Sequence, residues 1–232
     1  MENFSDIFST VGTIFSFGLS FTPIPPFVQV IKGEEKIDII PEGMLAFTIL
    51  TRIIWGVVWT VQKKLIPFIN SALGVSISSI FFAIFLYLYT GRNCAKGTCA
   101  ILVFIAIVVG IYLGGILFSQ KFGYDFGKVA VVFNVMMYIA PGQKIMRVIK
   151  EKNYKLIPIW STIVNALGCL SWLLYGMCIN YFPQIISNAI GVFFSIANTL
   201  VWVIYVVKSK KNKEKDSKEM QLEMEDKEGA TE

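Results

Sequence analysis

Trp172 and Asn188 stand deep within the last two apolar stretches of the sequence, where they offer an indole face and a carboxamide that both donates and accepts hydrogen bonds. That pair suits a ligand with hydroxyls around its rim and weakly polar C–H faces. Arg52 sits at the centre of an earlier apolar stretch. A charge at such a depth costs about 2.5–3.5 kcal/mol on insertion scales, and residues of this kind usually face a cavity. Its guanidinium would donate to hydroxyls or to an anionic group; the structural alternative is a cap on carbonyls freed by a proline. Trp55 lies one turn beyond Arg52, and Thr48 lies one turn before it on the same helical face.

The prolines form a second set. "FTPIPPFVQVIK", Phe21 to Lys32, carries Pro23, Pro25 and Pro26 in what otherwise reads as a long apolar helix. A proline in a helix interior removes a donor and crowds the preceding turn, at about 3 kcal/mol or more. The pattern returns at Ile139 as "IAPGQKIMRVIK", so that Pro23 aligns with Pro141. Pro23 and Pro141 weaken the hydrogen-bond ladder where a helix can bend and are hinge candidates. Pro41 and Pro158 each open the following apolar stretch, where a missing donor costs little.

Other chemistry is absent from the sequence. It has no histidine, and no Asp or Glu falls in the middle of an apolar stretch. A nucleophile–base set and a carboxylate pair are therefore missing, which argues against an enzyme, and a zinc site or other cofactor is not expected. Carriers coupled to protons or sodium need an intramembrane acid, so any transport is expected to run downhill. Cys94 and Cys99 are expected in a loop and are assigned no role.

These residues are carried by elements that only a membrane would hold. Of the 232 residues 55% are hydrophobic and 16% charged, too apolar for a water-soluble domain. Seven runs are long enough to cross a hydrocarbon core of ~30 Å: Ile7–Ile31, Gly43–Gln62, Ile66–Tyr89, Ala100–Phe118, Val129–Ile149, Ile157–Cys178 and Phe182–Val207. The opening "MENFSD" is acidic and has no cleavage site after the first run, which is expected to remain as a helix. Lys32, Lys36, Arg92, Lys96, Arg147, Lys150, Lys152, Lys155 and the tail from Lys208 fall on one side, against Lys63, Lys64, Lys121 and Lys128 on the other. The positive-inside rule then puts the amino terminus outside or in a lumen and the tail in the cytosol, in a plasma membrane or endomembrane. The net charge of +5 comes from loop and tail lysines and does not imply nucleic acid. The tail has too little apolar content to bury a core and is expected to be disordered.

At an offset of 117, Pro41 falls on Pro158, Trp55 on Trp172 and Gly74–Val75 on Gly191–Val192. Helices one to three and five to seven are two copies. Three helices are an odd number, so a fourth must invert the chain between them; "AILVFIAIVVGIYLGGILF" fits, with Gly110 and Gly114 offered for close packing. The expected fold is an all-α membrane protein of seven transmembrane helices in a 3+1+3 arrangement of parallel repeats. Its parts are a first triple-helix bundle over 1–90, a loop and linker helix over 91–120, a second bundle over 121–207 and the tail over 208–232. Parallel repeats point to transport, with a site at their interface near mid-membrane.

The second repeat, "AP…MRVIK…IP…SWLLYG…NAIG", together with the proline pairs and the 3+1+3 count, resembles the SWEET (MtN3/saliva) sugar transporters, relatives of the PQ-loop proteins. The resemblance spans residues 5–207 and is weaker in the first repeat. It implies bidirectional facilitative movement of mono- or disaccharides by alternating access, with Pro23, Pro41, Pro141 and Pro158 as a tetrad at the cytosolic hinge and gate. It assigns Trp172 and Asn188 to the sugar pocket and places a pocket position near Arg52. The asparagine expected three residues before Gly74 is Ser71, with Asn70 one position earlier; Asn70 is the better chemical match. Partners would be a sugar, the lipid bilayer and further copies of the chain, as in trimers. Pocket size would depend on the surroundings of Leu19, Thr48, Met137 and Gly168. A seven-helix receptor is the alternative from another class, disfavoured by the tandem repeat; a carrier of a small anionic or other polar solute through Arg52 is a second.

Overall fold

A computed structural model describes residues 2–40, 42–91, 94–122, 126–137, 139–152, 154 and 157–229. The first apolar run is two helices, α1 (Glu2–Leu19) and α2 (Ile24–Lys32). Between them the ladder tightens to three-residue spacing, with Phe21 N–H on Gly18 O, Thr22 N–H on Leu19 O and Ile24 N–H on Phe21 O. Hydroxyls take up carbonyls at the break: Ser20 Oγ donates to Ser16 O at 2.9 Å and Thr22 Oγ1 to Leu19 O at 2.8 Å. A tightened stretch of this kind inside a helix is where chains bend. Pro23 caps the start of α2, and Gly33, at φ 75°, ends it in the left-handed conformation that glycine takes without a Cβ penalty.

The fifth apolar run is described on both sides of position 138, as α6 (Phe126–Met137) and α7 (Ile139–Glu151). Met137 is the residue equivalent to Leu19, and Pro141 lies in α7. The first of the expected continuous spans is thus a pair of shorter helices, because proline is tolerated where a helix begins and not where it continues. Pro41 and the residue at 138 lie outside the described residues.

The remaining helices repeat as well. Helix α3 (Glu42–Val61) and α8 (Ile159–Cys178) have the same bounds at an offset of 117, and α4 (Leu65–Tyr89) begins where α9 (Phe182–Gly229) does. Their connecting turns match bond for bond. Lys63 and Asn180 both take positive φ, 55° and 51°. The next residue's N–H reaches back across the turn in each, Lys64 to Trp59 O at 3.0 Å and Tyr181 to Gly176 O at 2.9 Å. Such a 6→1 bond with a left-handed residue closes a helix end by satisfying its orphan carbonyls.

Three expectations change. The linker helix α5 runs Cys94–Phe122, so Cys94 opens it and Cys99 lies within it rather than in a loop. "CAKGTCA" has no proline to delay the helix, and its Gly97 lets the Tyr87 ring approach to 3.3 Å of where a Cβ would stand. Gly110 and Gly114 are exposed with nothing against them among the described residues; α5 packs on α3 and α4 through other faces. The stretch from Lys208, expected to be disordered, continues α9 as helix to Gly229. Its Lys, Glu, Met and Gln are strong helix formers at i,i+4 charge spacing, and neither Gly nor Pro interrupts it before Gly229.

Five helical stretches are long and apolar enough to cross a membrane, and Leu45–Val61 and Gly127–Met137 are shorter apolar helices. No strand occurs among the described residues. Within the first half α3 and α1 pack on α4; within the second α8 and α6 pack on α9. The halves meet through α1 on α8 and α6 on α3, contacts that exchange under the repeat.

Candidate functional site

A cavity of about 160 Å³ lies where the halves meet. Its walls come from α1, α3 and α4 of one half and α6, α8 and α9 of the other, and many are repeat mates: Ser16 and Asn134, Leu19 and Met137, Thr48 and Asn165, Trp55 and Trp172, Ser71 and Asn188. All six residues singled out for binding, Trp172, Asn188, Asn70, Arg52, Trp55 and Thr48, line it. So do Leu19, Met137 and Gly168, and both Asn70 and Ser71. Leu19, the last residue of α1, and its mate Met137 on α6 both line the cavity and form its floor on the side of the prolines.

Trp172 is held rather than loose. Its Nε1 donates to Ser16 Oγ at 3.0 Å, and its ring lies so close to Gly12 that a Cβ there would stand 2.9 Å from Nε1. Trp55 stacks on Trp59, with centroids 5.4 Å apart and planes at 16°. Asn188 donates Nδ2 to the Gln184 carbonyl at 2.8 Å. Among the described residues its Oδ1 has no partner, which leaves an acceptor at the cavity. Arg52 is half-buried, with its stem and Nε seated on Gly74 of α4: a Cβ there would meet Nε at 2.8 Å and Cδ at 2.9 Å.

One end of the cavity is closed by aromatic rings from both halves. Trp59 meets Tyr175 and Tyr181 edge-on at 5.8 and 5.7 Å, and Tyr175 meets Trp172 edge-on at 5.6 Å. Edge-to-face pairs at such spacings add about 0.5–1.5 kcal/mol each beyond burial. Tyr181 seats on Gly127 of α6, where any Cβ would collide with its ring. At the opposite end, toward the prolines, the buried cluster of Phe27, Ile40, Leu45 and Phe85 belongs to the first half alone. Of the four prolines, Pro23 and Pro158 begin α2 and α8 at that end, and Pro141 lies in α7.

Sequence reasoning missed several wall residues. Asn134 and Asn165 donate to Ser187 and, at 2.9 Å, to Ser195, tying α6 and α8 to α9; polar residues inside apolar runs are the signal that marks them. Gln184 is buried at the wall, and Trp59 lines the cavity. Trp160, by contrast, is 78% exposed. Among the described residues the lining contains no Asp or Glu.

Comparison with known proteins follows from this geometry. A family model described as sugar efflux transporter for intercellular exchange matches residues 125–210, the second half. The bidirectional sugar transporter SWEET5 of Arabidopsis thaliana is 26% identical over 220 residues, covering 92% of this chain and 91% of its own. SWEET7b of Oryza sativa subsp. japonica is 27% identical over 203 residues, covering 84% and 76%. The fold matches a 3.7 Å structure of a eukaryotic SWEET transporter with a TM-score of 0.74 and 18% identity, over 88% of this chain and 97% of that one.

Proposed function

We propose, from the premise that this chain is a member of the SWEET (MtN3/saliva) family, that it is a bidirectional facilitative sugar carrier working by alternating access. One observation carries the reading: the polar and aromatic mates of the two halves converge on one cavity at the interface of the repeats. Its volume of about 160 Å³ holds on the order of ten water-sized groups, the scale of one sugar ring with its hydroxyls.

The roles follow from side-chain chemistry. Trp172 and Trp55 offer faces to C–H groups, and Asn188, Asn70 and Thr48 hydrogen-bond the ring hydroxyls. Arg52 donates to an oxygen from the opposite wall. The halves form a 3+1+3 arrangement with α5 as the inverting linker, and they rock about hinges at Pro23 and Pro141, with Pro41 and Pro158 at the same face. Motion at a hinge carries Leu19 or Met137 with it, so opening the floor and releasing the ligand are one event. The aromatic closure at the other end separates in the opposite state. The amino terminus faces the exterior or a lumen and the tail the cytosol, as the lysine distribution favours; a homo-oligomer such as a trimer would place several such pathways side by side.

Among the described residues the lining holds no carboxylate to bind a coupling ion, so transport runs down the sugar gradient. The test is labelled-hexose uptake and efflux in a transport-deficient cell. Saturable flux in both directions is expected; no flux from protein present at the membrane would contradict the reading and favour a receptor.

A further inference from the structure

Arg52 brings a charge into the cavity that its surroundings leave unbalanced. Asp and Glu are absent from the lining, and among the described residues no hydrogen bond or ion pair joins Arg52. Its seat is built for it: the close approach to Gly74 requires a residue without a Cβ at that point of α4. Nothing of the sort exists in the other half, where the mate of Arg52 is Cys169. The role of a cap on carbonyls freed by a proline does not fit, because Ser20 and Thr22 hydroxyls take up the carbonyls at the first break.

A guanidinium is a planar fork of donors that matches the two oxygens of a carboxylate, and such charge-assisted bonds are about twice as strong as neutral ones. Nearby walls are neutral: Asn70, Ser71, Thr48 and Thr51 around Arg52, with the indoles of Trp55 and Trp172. The Thr51 hydroxyl is buried without a hydrogen-bond partner among the described residues. Neutral donors and acceptors read a ring and its hydroxyls; the one cation calls for one anionic charge. A carboxylate supplies one, whereas a phosphate monoester brings roughly 1.5 to 2 at neutral pH.

We infer that the cavity takes a monoanionic sugar acid of the hexuronate class, its carboxylate on Arg52 and its ring among the asparagines and indoles, in preference to the corresponding neutral hexose. The inference rests on the carrier reading above and assigns its substrate class. With the ligand bound, guanidinium and carboxylate form a neutral pair in the cavity, which removes the cost of a lone charge there during the loaded step; the carboxylate then leaves with the sugar and Arg52 stays.

The test is counterflow in proteoliposomes holding the full chain, with labelled glucose and labelled glucuronate as separate tracers and glucose, glucuronate and glucose 6-phosphate as competitors. Glucuronate is expected to compete about tenfold more strongly than glucose in the wild type, from the added strength of a bond to a charged group, and more strongly than the phosphate. Arg52→Gln is expected to lower the glucuronate-to-glucose ratio by about tenfold, and Arg52→Lys to keep part of the preference. Glucuronate competing no better than glucose in the wild type, which needs no variant to fold, would overturn the inference. The phosphate competing best, or an unchanged ratio in Arg52→Gln, would overturn it too. Glucose crossing without a glucuronate preference sinks this inference alone; neither tracer crossing sinks the carrier reading with it.

Discussion

Trp55 and Trp172 occupy matching places in the first and second halves, yet they are held differently. Trp172 lies against α1, where Gly12 has no Cβ, and its N–H reaches Ser16 at 3.0 Å. The mate of Gly12 is Ala130, buried beside Trp55 in the aromatic cluster, and Trp55 stacks on Trp59 instead. The mate of Ser16 is Asn134, which turns to Ser187. Helix bounds and connecting turns coincide between the halves, while the side chains on them have diverged. Backbone registers and turns are set by many mutually dependent hydrogen bonds and resist change; a cavity wall is altered one side chain at a time. An asymmetric ligand can therefore be read by a frame with two equivalent halves.

Exchanging the mates is the sharpest way to break this comparison. Gly12→Ala drives a Cβ into the Trp172 ring and is expected to cost about 1–3 kcal/mol of thermal stability, as overpacking does, and to reduce hexose flux by more than tenfold. Ala130→Gly should change both far less. Equal effects, read by unfolding in detergent and by counterflow, would mean that the two tryptophans are held alike.

Next in size is Asn188→Ala, expected to lower hexose flux about tenfold because a ligand hydroxyl loses its partner in a confined site. Ser71→Ala, at the mate position, should cost about twofold, since Asn70 beside it supplies the stronger group. A reversal of that order would transfer the main polar contact to the first half. Pro23→Ala and Pro141→Ala address what the halves share. Each should slow flux several-fold at unchanged membrane content, because losing the proline stiffens the segment that carries Leu19 or Met137; unchanged rates would remove the two prolines from the cycle. The smallest effect expected is none. A pH gradient across the vesicle should leave hexose accumulation at equilibrium, and accumulation against the sugar gradient would reveal a coupled proton.

Much of this architecture was legible because polar residues are conspicuous inside apolar runs. Arg52, Asn188 and Trp172 stood out on that ground, and the offset between repeats supplied partners for them. Asn134 and Asn165 carried the same signal; their partners on α9, Ser187 and Ser195, follow from packing that no spacing in the sequence announces. The split of the first run was harder to read, because a proline marks a break without saying whether the helix bends through it or restarts. Gly110 and Gly114 show the converse: a small-residue spacing names a possible contact and not its partner, and among the described residues no side chain covers either glycine. Helix from Lys208 to Gly229 reflects local propensity, which burial arguments do not weigh.

The central claim is that the two halves rock about their proline hinges around a common cavity. Distances between spin labels on noncanonical amino acids test it, with one pair at Leu65 and Phe182, the exposed starts of α4 and α9 at the aromatic end, and one at Ile31 and Ile149, exposed mates beyond Pro23 and Pro141. Under saturating hexose in reconstituted membranes, the account predicts that one distance lengthens as the other shortens. Both distances staying fixed, or moving in the same sense, would contradict it.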